Sequence, residues 1–216
     1  MIIHFVLPFL AFFLQNFVNL RVLNFDQCKC LTQIPDVSGL QNLEELSFKN
    51  CVNLVTVHDS VGFLDKLRTL SASRCEKLSS FPPIKLTSLE KLDLSFCYSL
   101  ESFPEILVKM ENIRDLHLLG SPITELTFSF QNLTGLPSLR MSFKSSAIVK
   151  VPSSIIMMQK LTNIFASGLK GLQWLKQEEG EEQTGTAVVP SNVATSMMIF
   201  FYRFHEVCSC EGIMLS

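Results

Sequence analysis

The chain has 216 residues, enough for one domain or two small ones with a buried core. Eighteen basic against 20 acidic residues give a formal charge of −2, which excludes any global pull toward nucleic acid or anionic lipid. Mean hydropathy is +0.30, and 18 Phe against one Trp and two Tyr place the aromatic residues in a core rather than at a recognition surface.

The first element is an apolar run from Ile2 to Leu14 in which only His4 is polar. A membrane-spanning helix needs about 20 apolar residues, so a span is not expected. The length suits the core of a secretory signal, but no Lys or Arg precedes it and no small-residue cleavage site follows before Gln15 and Asn16. A degenerate repeat supplying apolar filler, or a cap, is the other reading.

From Leu20 the chain repeats itself. LRVLNFDQC at Leu20 is followed by LEELSFKNC at Leu43, LRTLSASRC at Leu67 and LEKLDLSFC at Leu89, then by weaker copies at Ile113, Leu136 and Leu161. The steps are 23, 24, 22, 24, 23 and 25 residues, within the range of roughly 20–29 that marks leucine-rich repeats. The predicted fold is therefore an α/β leucine-rich repeat solenoid of about seven repeats over residues 20–176. A curved parallel sheet lines its inner side, and the convex side is irregular or briefly helical. Residues 1–19 form the apolar N-terminal segment, and 177–216 an acidic stretch with a tail outside the repeat register.

Within a unit, Leu23 and Phe25, or Leu92 and Leu94, are two apart and point to one side of a strand, toward the neighbouring repeats. A second anchor falls at Leu31, Leu54, Leu78 and Leu100, and a third at Ile34-Pro35, Phe81-Pro82, Phe103-Pro104 and Val151-Pro152. The prolines turn the chain onto the convex side. Repeat two carries Val57-His58 at that place, which makes His58 a turn residue rather than a ligand, and repeat five carries Leu126-Thr127.

Cys28, Cys51, Cys75 and Cys97 all fill the ninth position. Many leucine-rich repeats place an Asn there to bond the turn backbone, and Cys is a compact, mostly buried substitute. Metal ligands must converge on one point, whereas these thiols are strung along the solenoid axis. Neighbouring positions about 5 Å apart leave a disulfide geometrically open. Seven cysteines, an odd number, favour a reducing compartment and structural thiols. Cys208 and Cys210 lack a partner pair for a metal site.

The form L-x-x-L-x-F/L-x-x-C-x-x-L-x-x-I/F-P, with LHLLGSPITEL at Leu116–Leu126 and GLKGLQWLKQEEGEE at Gly168–Glu182, closely resembles repeats of plant TIR–NBS–LRR intracellular immune receptors of the tobacco mosaic virus resistance protein N-like group. The resemblance covers about residues 17 to 182. It implies the part of such a receptor that recognises pathogen effectors and restrains a nucleotide-binding switch, acting in the cytoplasm or nucleus. The chain contains no G-x-x-x-x-G-K-[ST] phosphate loop, and the stretch before Leu20 is too short for a TIR domain. The expectation is a truncated form or fragment comprising the repeat portion. Plant extracellular repeats usually carry L-x-x-N-x-L-x-G-x-I-P instead, and one glycosylation sequon, Asn132-Leu133-Thr134, is present. The alternative is a secreted or membrane-associated receptor-like protein.

Binding should fall to the third, fifth and seventh positions, which alternate with the buried leucines. The third row is Val22, Glu45, Thr69, Lys91, Asp115, Ser138 and Asn163; the fifth is Asn24, Ser47, Ser71, Asp93, His117, Arg140 and Phe165; the seventh is Asp26, Lys49, Ser73, Ser95, Leu119, Ser142 and Ser167. Seven strands make a face of roughly 29 Å, long enough for a protein partner and too open for a small molecule. The candidate partner-binding residues are Glu45, Lys91, Asp93, Asp115, His117, Leu119, Arg140 and Phe165. Neither a nucleophile elbow nor a metal-spaced His pair is present, so no catalytic residue, metal or cofactor is expected. Dispersed basic residues argue against a nucleic-acid footprint. The run Glu178–Glu182 reads as a solvated end, and Met197–Tyr202 as an apolar segment able to cap the last repeat. With no recognisable polar cap at either end, self-association is expected.

Overall fold

Apolar side chains at the fourth and sixth positions of each repeat specify a short strand that can bury only one side, and the neighbouring repeats supply the cover. The computed structural model describes residues 12–175, 198–202 and 212–214. In chain order the strands are β1 (Val22–Asn24), β2 (Gln33–Ile34), β3 (Glu45–Ser47), β4 (Thr56–Val57), β5 (Thr69–Ser71) and β6 (Lys91–Asp93). They continue with β7 (Asp115–Leu119), β8 (Ser138–Pro152), β9 (Asn163–Leu175), β10 (Met198–Tyr202) and β11 (Gly212–Met214). The seven strands β1, β3, β5, β6, β7, β8 and β9, one per repeat, form a parallel ladder. Leu46 sits beside Leu70, and Leu70 beside Leu92, so the apolar rungs align across repeats.

Leu43, Leu46, Phe48, Leu67, Leu70, Leu89, Leu92 and Leu94 are all fully buried, at 0% exposure. Each such side chain contributes about 1.5–3 kcal/mol relative to an exposed one. At the eighth position the chain turns out of the sheet through left-handed backbone, with φ of 65° at Gln27, 57° at Asn50, 62° at Arg74, 61° at Phe96 and 68° at Gly120. Only repeat five meets that demand with the residue that bears it without strain, Gly120.

The ninth-position side chain locks each turn to the repeat before it. The thiols of Cys51, Cys75 and Cys97 donate to the carbonyls of Phe25, Phe48 and Ala72 at 3.1, 3.1 and 3.2 Å. The Phe25 carbonyl also accepts the Cys28 N–H at 3.0 Å, and the Ala72 carbonyl the Cys75 N–H at 3.2 Å, so both lone pairs are used. Burial pushes the Cys51 thiol up to about 11 and the Cys97 thiol up to about 12, and it raises Cys75 as well. These three cysteines are free thiols packed in the core, whereas Cys28 and Cys30 are free and exposed.

The convex side is more ordered than its prolines announce. Short 3-10 helices η1 (Asp59–Phe63), η2 (Phe128–Asn132) and η3 (Ser153–Met157) occupy it in repeats two, five and six. Between them run parallel pairings: β2 with β4, Ile84 with Ile106, and Glu125 with Lys150. His58 is the turn residue expected, since its ring accepts the Ser60 N–H at 3.2 Å and caps η1. Ser60 Oγ in turn accepts the Val37 N–H at 2.9 Å, and Ser129 Oγ the Ile106 N–H at 3.0 Å, tying each helix to the preceding repeat.

Repeat six departs from the pattern. β8 runs on from Ser138 to Pro152 and pairs with β9 along that length, with register shifts between Ser142 and Ile148, so the ninth-position turn of the earlier repeats is absent there. Beyond β9, β10 adds in parallel and β11 antiparallel, so the last leucine-rich strand is not the edge of the sheet. At the other edge, among the described residues, the first repeat is less buried than those that follow. Leu20, Leu23, Phe25 and Leu31 are half-buried, and Phe12, Phe13, Phe17, Val18 and Val22 are 45–69% exposed. Among the sequence expectations, those on residues 1–11, on Glu178–Glu182, and on Cys208 and Cys210 lie outside the described residues.

Candidate functional site: the inner face of the ladder

The register brings the predicted rows together. Val22, Glu45, Thr69, Lys91 and Asp115 stand on consecutive rungs, as do Asn24, Ser47, Ser71, Asp93, His117, Arg140 and Phe165. Glu45, Asp115, Leu119 and Arg140 are exposed, and Lys91, Asp93 and His117 are half-buried.

Groups of opposite character stand beside one another across the rungs. Lys91 neighbours Asp115, and His117 Nδ1 lies 4.0 Å from Asp93 Oδ2. The other Asp93 oxygen accepts the Ser95 N–H at 3.1 Å, which fixes the carboxylate. Arg140 lays its guanidinium over the Phe165 ring at 5.3 Å, so charge and aromatic surface form one unit. Phe165, one of the candidate contact residues, is half-buried in that stack. Leu119 is 38% exposed, a lone aliphatic group at the exit of β7.

Two members of the rows do not reach the surface. Ser71 and Ser95 are buried, at 3% and 5%. At the start of the ladder the Asn24 side chain accepts the Asp26 N–H at 2.6 Å. Asp26 Oδ1 takes the Ser47 hydroxyl at 2.6 Å and the Lys49 N–H at 2.7 Å. That cluster is spent on holding two turns together.

Sequence reasoning passed over the second position, where Arg21, Glu44, Arg68, Glu90 and Arg114 alternate in sign. Arg21 pairs with Glu44 at 3.3 Å and Arg68 with Glu90 at 3.5 Å, along the edge where the chain enters the strands. The alternation was visible in the sequence and would have been found by aligning the second position as the third was. Arg114 instead donates to the carbonyls of Glu111, Ile113 and Gly135. Among the described residues no cluster of His, Cys, Asp or Glu could hold a metal ion, and no helix is long and apolar enough to cross a membrane.

A parallel ladder with a solvent-facing inner row and a closed apolar interior defines the class: a leucine-rich repeat solenoid, a protein-interaction fold rather than a catalytic one. The family model described as "Disease resistance protein RPS4B-like, leucine-rich repeats" matches residues 84–202, more than half of the chain, and the chain belongs to that family. It is 37% identical to TMV resistance protein N of Nicotiana glutinosa over 77% of its own length and 15% of that protein's. It is 34% identical to disease resistance protein RPP5 of Arabidopsis thaliana over 75% of its length and 11% of that protein's. For disease resistance protein RPP2A of the same plant the figures are 32%, 58% and 9%. The chain thus spans less than a sixth of the length of these relatives.

Proposed function

We propose that the inner face over repeats four to seven binds a protein, either a pathogen effector or the nucleotide-binding switch domain of an immune receptor, inside the plant cell. The observation that carries this reading is the single row Asp93, His117, Arg140 and Phe165, beside exposed Leu119, on a face wide enough for a macromolecule. Arg and aromatic side chains, here stacked as one unit, are the groups enriched at the core of protein interfaces. The relatives are resistance proteins, which supports a role in defence signalling. The repeats would recognise an effector and restrain the switch, in the same polypeptide or in another.

Two features support the cytoplasm or nucleus over export. The buried ninth-position thiols suit a reducing compartment. The Asn132 amide of the sequon donates to the Ile106 carbonyl at 2.8 Å, and the Thr134 hydroxyl is buried, so the motif is committed to the fold. Glycosylation at this sequon would need that Asn free.

Proximity labelling in leaf cells tests the partner. The chain should label a small set of proteins, and the double variant Leu119→Asp, Arg140→Glu should lose them while keeping its melting temperature. Identical labelled sets for both would refute the assignment of the face. A C-terminal fluorescent fusion entering the secretory pathway would refute the compartment.

A further inference from the structure

The convex side carries a second recess, made by an irregularity of the repeat. In repeats two and five the segment after the third anchor winds into η1 and η2. Repeats three and four instead carry the same five-residue form, Ser80-Phe81-Pro82-Pro83-Ile84 and Ser102-Phe103-Pro104-Glu105-Ile106, 22 residues apart. Both segments stay extended, and the two are held by the Ile84–Ile106 bridge and by the Ile84 N–H donated to the Glu105 carbonyl at 2.8 Å. Two consecutive repeats without a helical turn leave a groove of about 490 Å³.

Its wall is Phe81, Pro83, Phe103, Pro104 and Phe128, the last being the first residue of η2. Phe103 is fixed from below against Phe130, with ring centroids 5.2 Å apart, while Phe81 and Phe128 are half-exposed toward the groove. Glu105 is the one charged residue among those lining it, and it is exposed. Ser80 and Ser102 stand exposed at matching places on the two rungs, as hydrogen-bonding groups along one edge.

We propose that this groove binds a short extended peptide of another protein, carrying one bulky apolar side chain next to a Lys or Arg. The apolar walls take the anchor, Glu105 pairs with the basic residue, and the serine edge meets the peptide backbone. The extended shape follows from a lining drawn from three consecutive repeats, Phe81 and Pro83, then Phe103 and Glu105, then Phe128, so that a segment lying across them meets each in turn. The site is separate from the inner face, so either assignment can fail without the other.

The test uses the whole chain and a fluorescein-labelled octapeptide, Gly-Ser-Lys-Leu-Phe-Lys-Ser-Gly, with a twin carrying Glu in place of both Lys. Fluorescence polarisation should give saturable binding of the basic peptide in the micromolar range, and at least about tenfold weaker binding of the twin. Glu105→Lys, an exposed change that leaves the fold intact, should reverse the preference. Phe128→Ser should weaken both peptides, and Leu119→Asp on the inner face should change neither. No binding up to about 1 mM would overturn the proposal. So would a preference indifferent to Glu105→Lys, or binding lost with Leu119→Asp. A dimer by light scattering that Phe128→Ser dissolves would assign the groove to a second copy of the chain instead.

Discussion

Repeats one and three are built from the same pattern, yet they are not equally folded into the molecule. Leu70 and Cys75 in repeat three are fully buried, whereas Leu23 in repeat one is half-buried and Cys28 is exposed. The local backbone is alike: Gln27 and Arg74 both turn at positive φ, and the Cys28 and Cys75 N–H groups both return to the sixth-position carbonyl. The difference is that repeat three has a leucine-rich rung on each side. In a solenoid the energy of a residue is set by its place in the stack as much as by its place in the repeat.

The sharpest way to break this comparison is to truncate the same position in both repeats. Leu70→Ala should cost about 2–5 kcal/mol, whereas Leu23→Ala, already partly hydrated, should cost less than half as much. Urea unfolding followed by circular dichroism measures both. Equal costs would mean that the first repeat is covered in solution as well as the third.

A smaller contrast separates the cysteines. Cys75→Ala should destabilise by about 1–2 kcal/mol, through a lost bond to Phe48 and a small void, and Cys28→Ala by almost nothing. In the native chain Cys28 and Cys30 should react with a chromogenic disulfide at once, and Cys51, Cys75 and Cys97 only on unfolding. The buried thiols also set a pH dependence. Their ordinary value is 9.0, and burial raises Cys51 to about 11 and Cys97 to about 12. The folded state therefore holds these protons more tightly than the unfolded state. The stability this gives is whole below pH 9 and is lost as the pH climbs through the folded values. Melting temperature should fall over that alkaline window, and Cys51→Ala should make the fall shallower.

The eighth position sharpens the comparison at the level of backbone. Gly120 has φ of +68°, and an added Cβ would meet the Phe96 ring at 2.8 Å. Gly120→Ala should therefore lose about 1–2 kcal/mol. Gln27→Gly, at an exposed turn with φ of 65°, should gain up to about 1 kcal/mol. Thermal melts of the two variants should move in opposite directions. The smallest effect belongs to the second-position charges. Arg68 and Glu90 lie 3.5 Å apart at more than half exposure, so a double-mutant cycle should give a coupling of about 0–0.5 kcal/mol, vanishing in high salt.

How much of this could be read from the chain depended on whether a feature repeats. The rungs were legible because Leu46, Leu70, Leu92 and their equivalents recur at nearly constant spacing, and the same spacing assigned Asp93, His117 and Arg140 to one row. Where the period fails, so did the reading: β8 runs through the place of a turn, and the missing helices of repeats three and four left no mark that local propensity would flag. Ser71 and Ser95 were misjudged as surface residues because alternation gives the side of a strand, not the exposure of each side chain on it.

The sequence alone determined the repeat length, the parallel ladder and the identity of the buried rungs, since two-residue alternation within a strand and a period near 23 residues admit one way of hiding the leucines. Tertiary structure decided the rest. It set which thiols are covered, how Arg140 and Phe165 combine, where Asn132 spends its amide, and that two extended segments leave a groove on the convex side. Each of those depends on side chains 21 or more residues apart meeting at a particular height and angle, and that geometry exists only once neighbouring repeats have stacked.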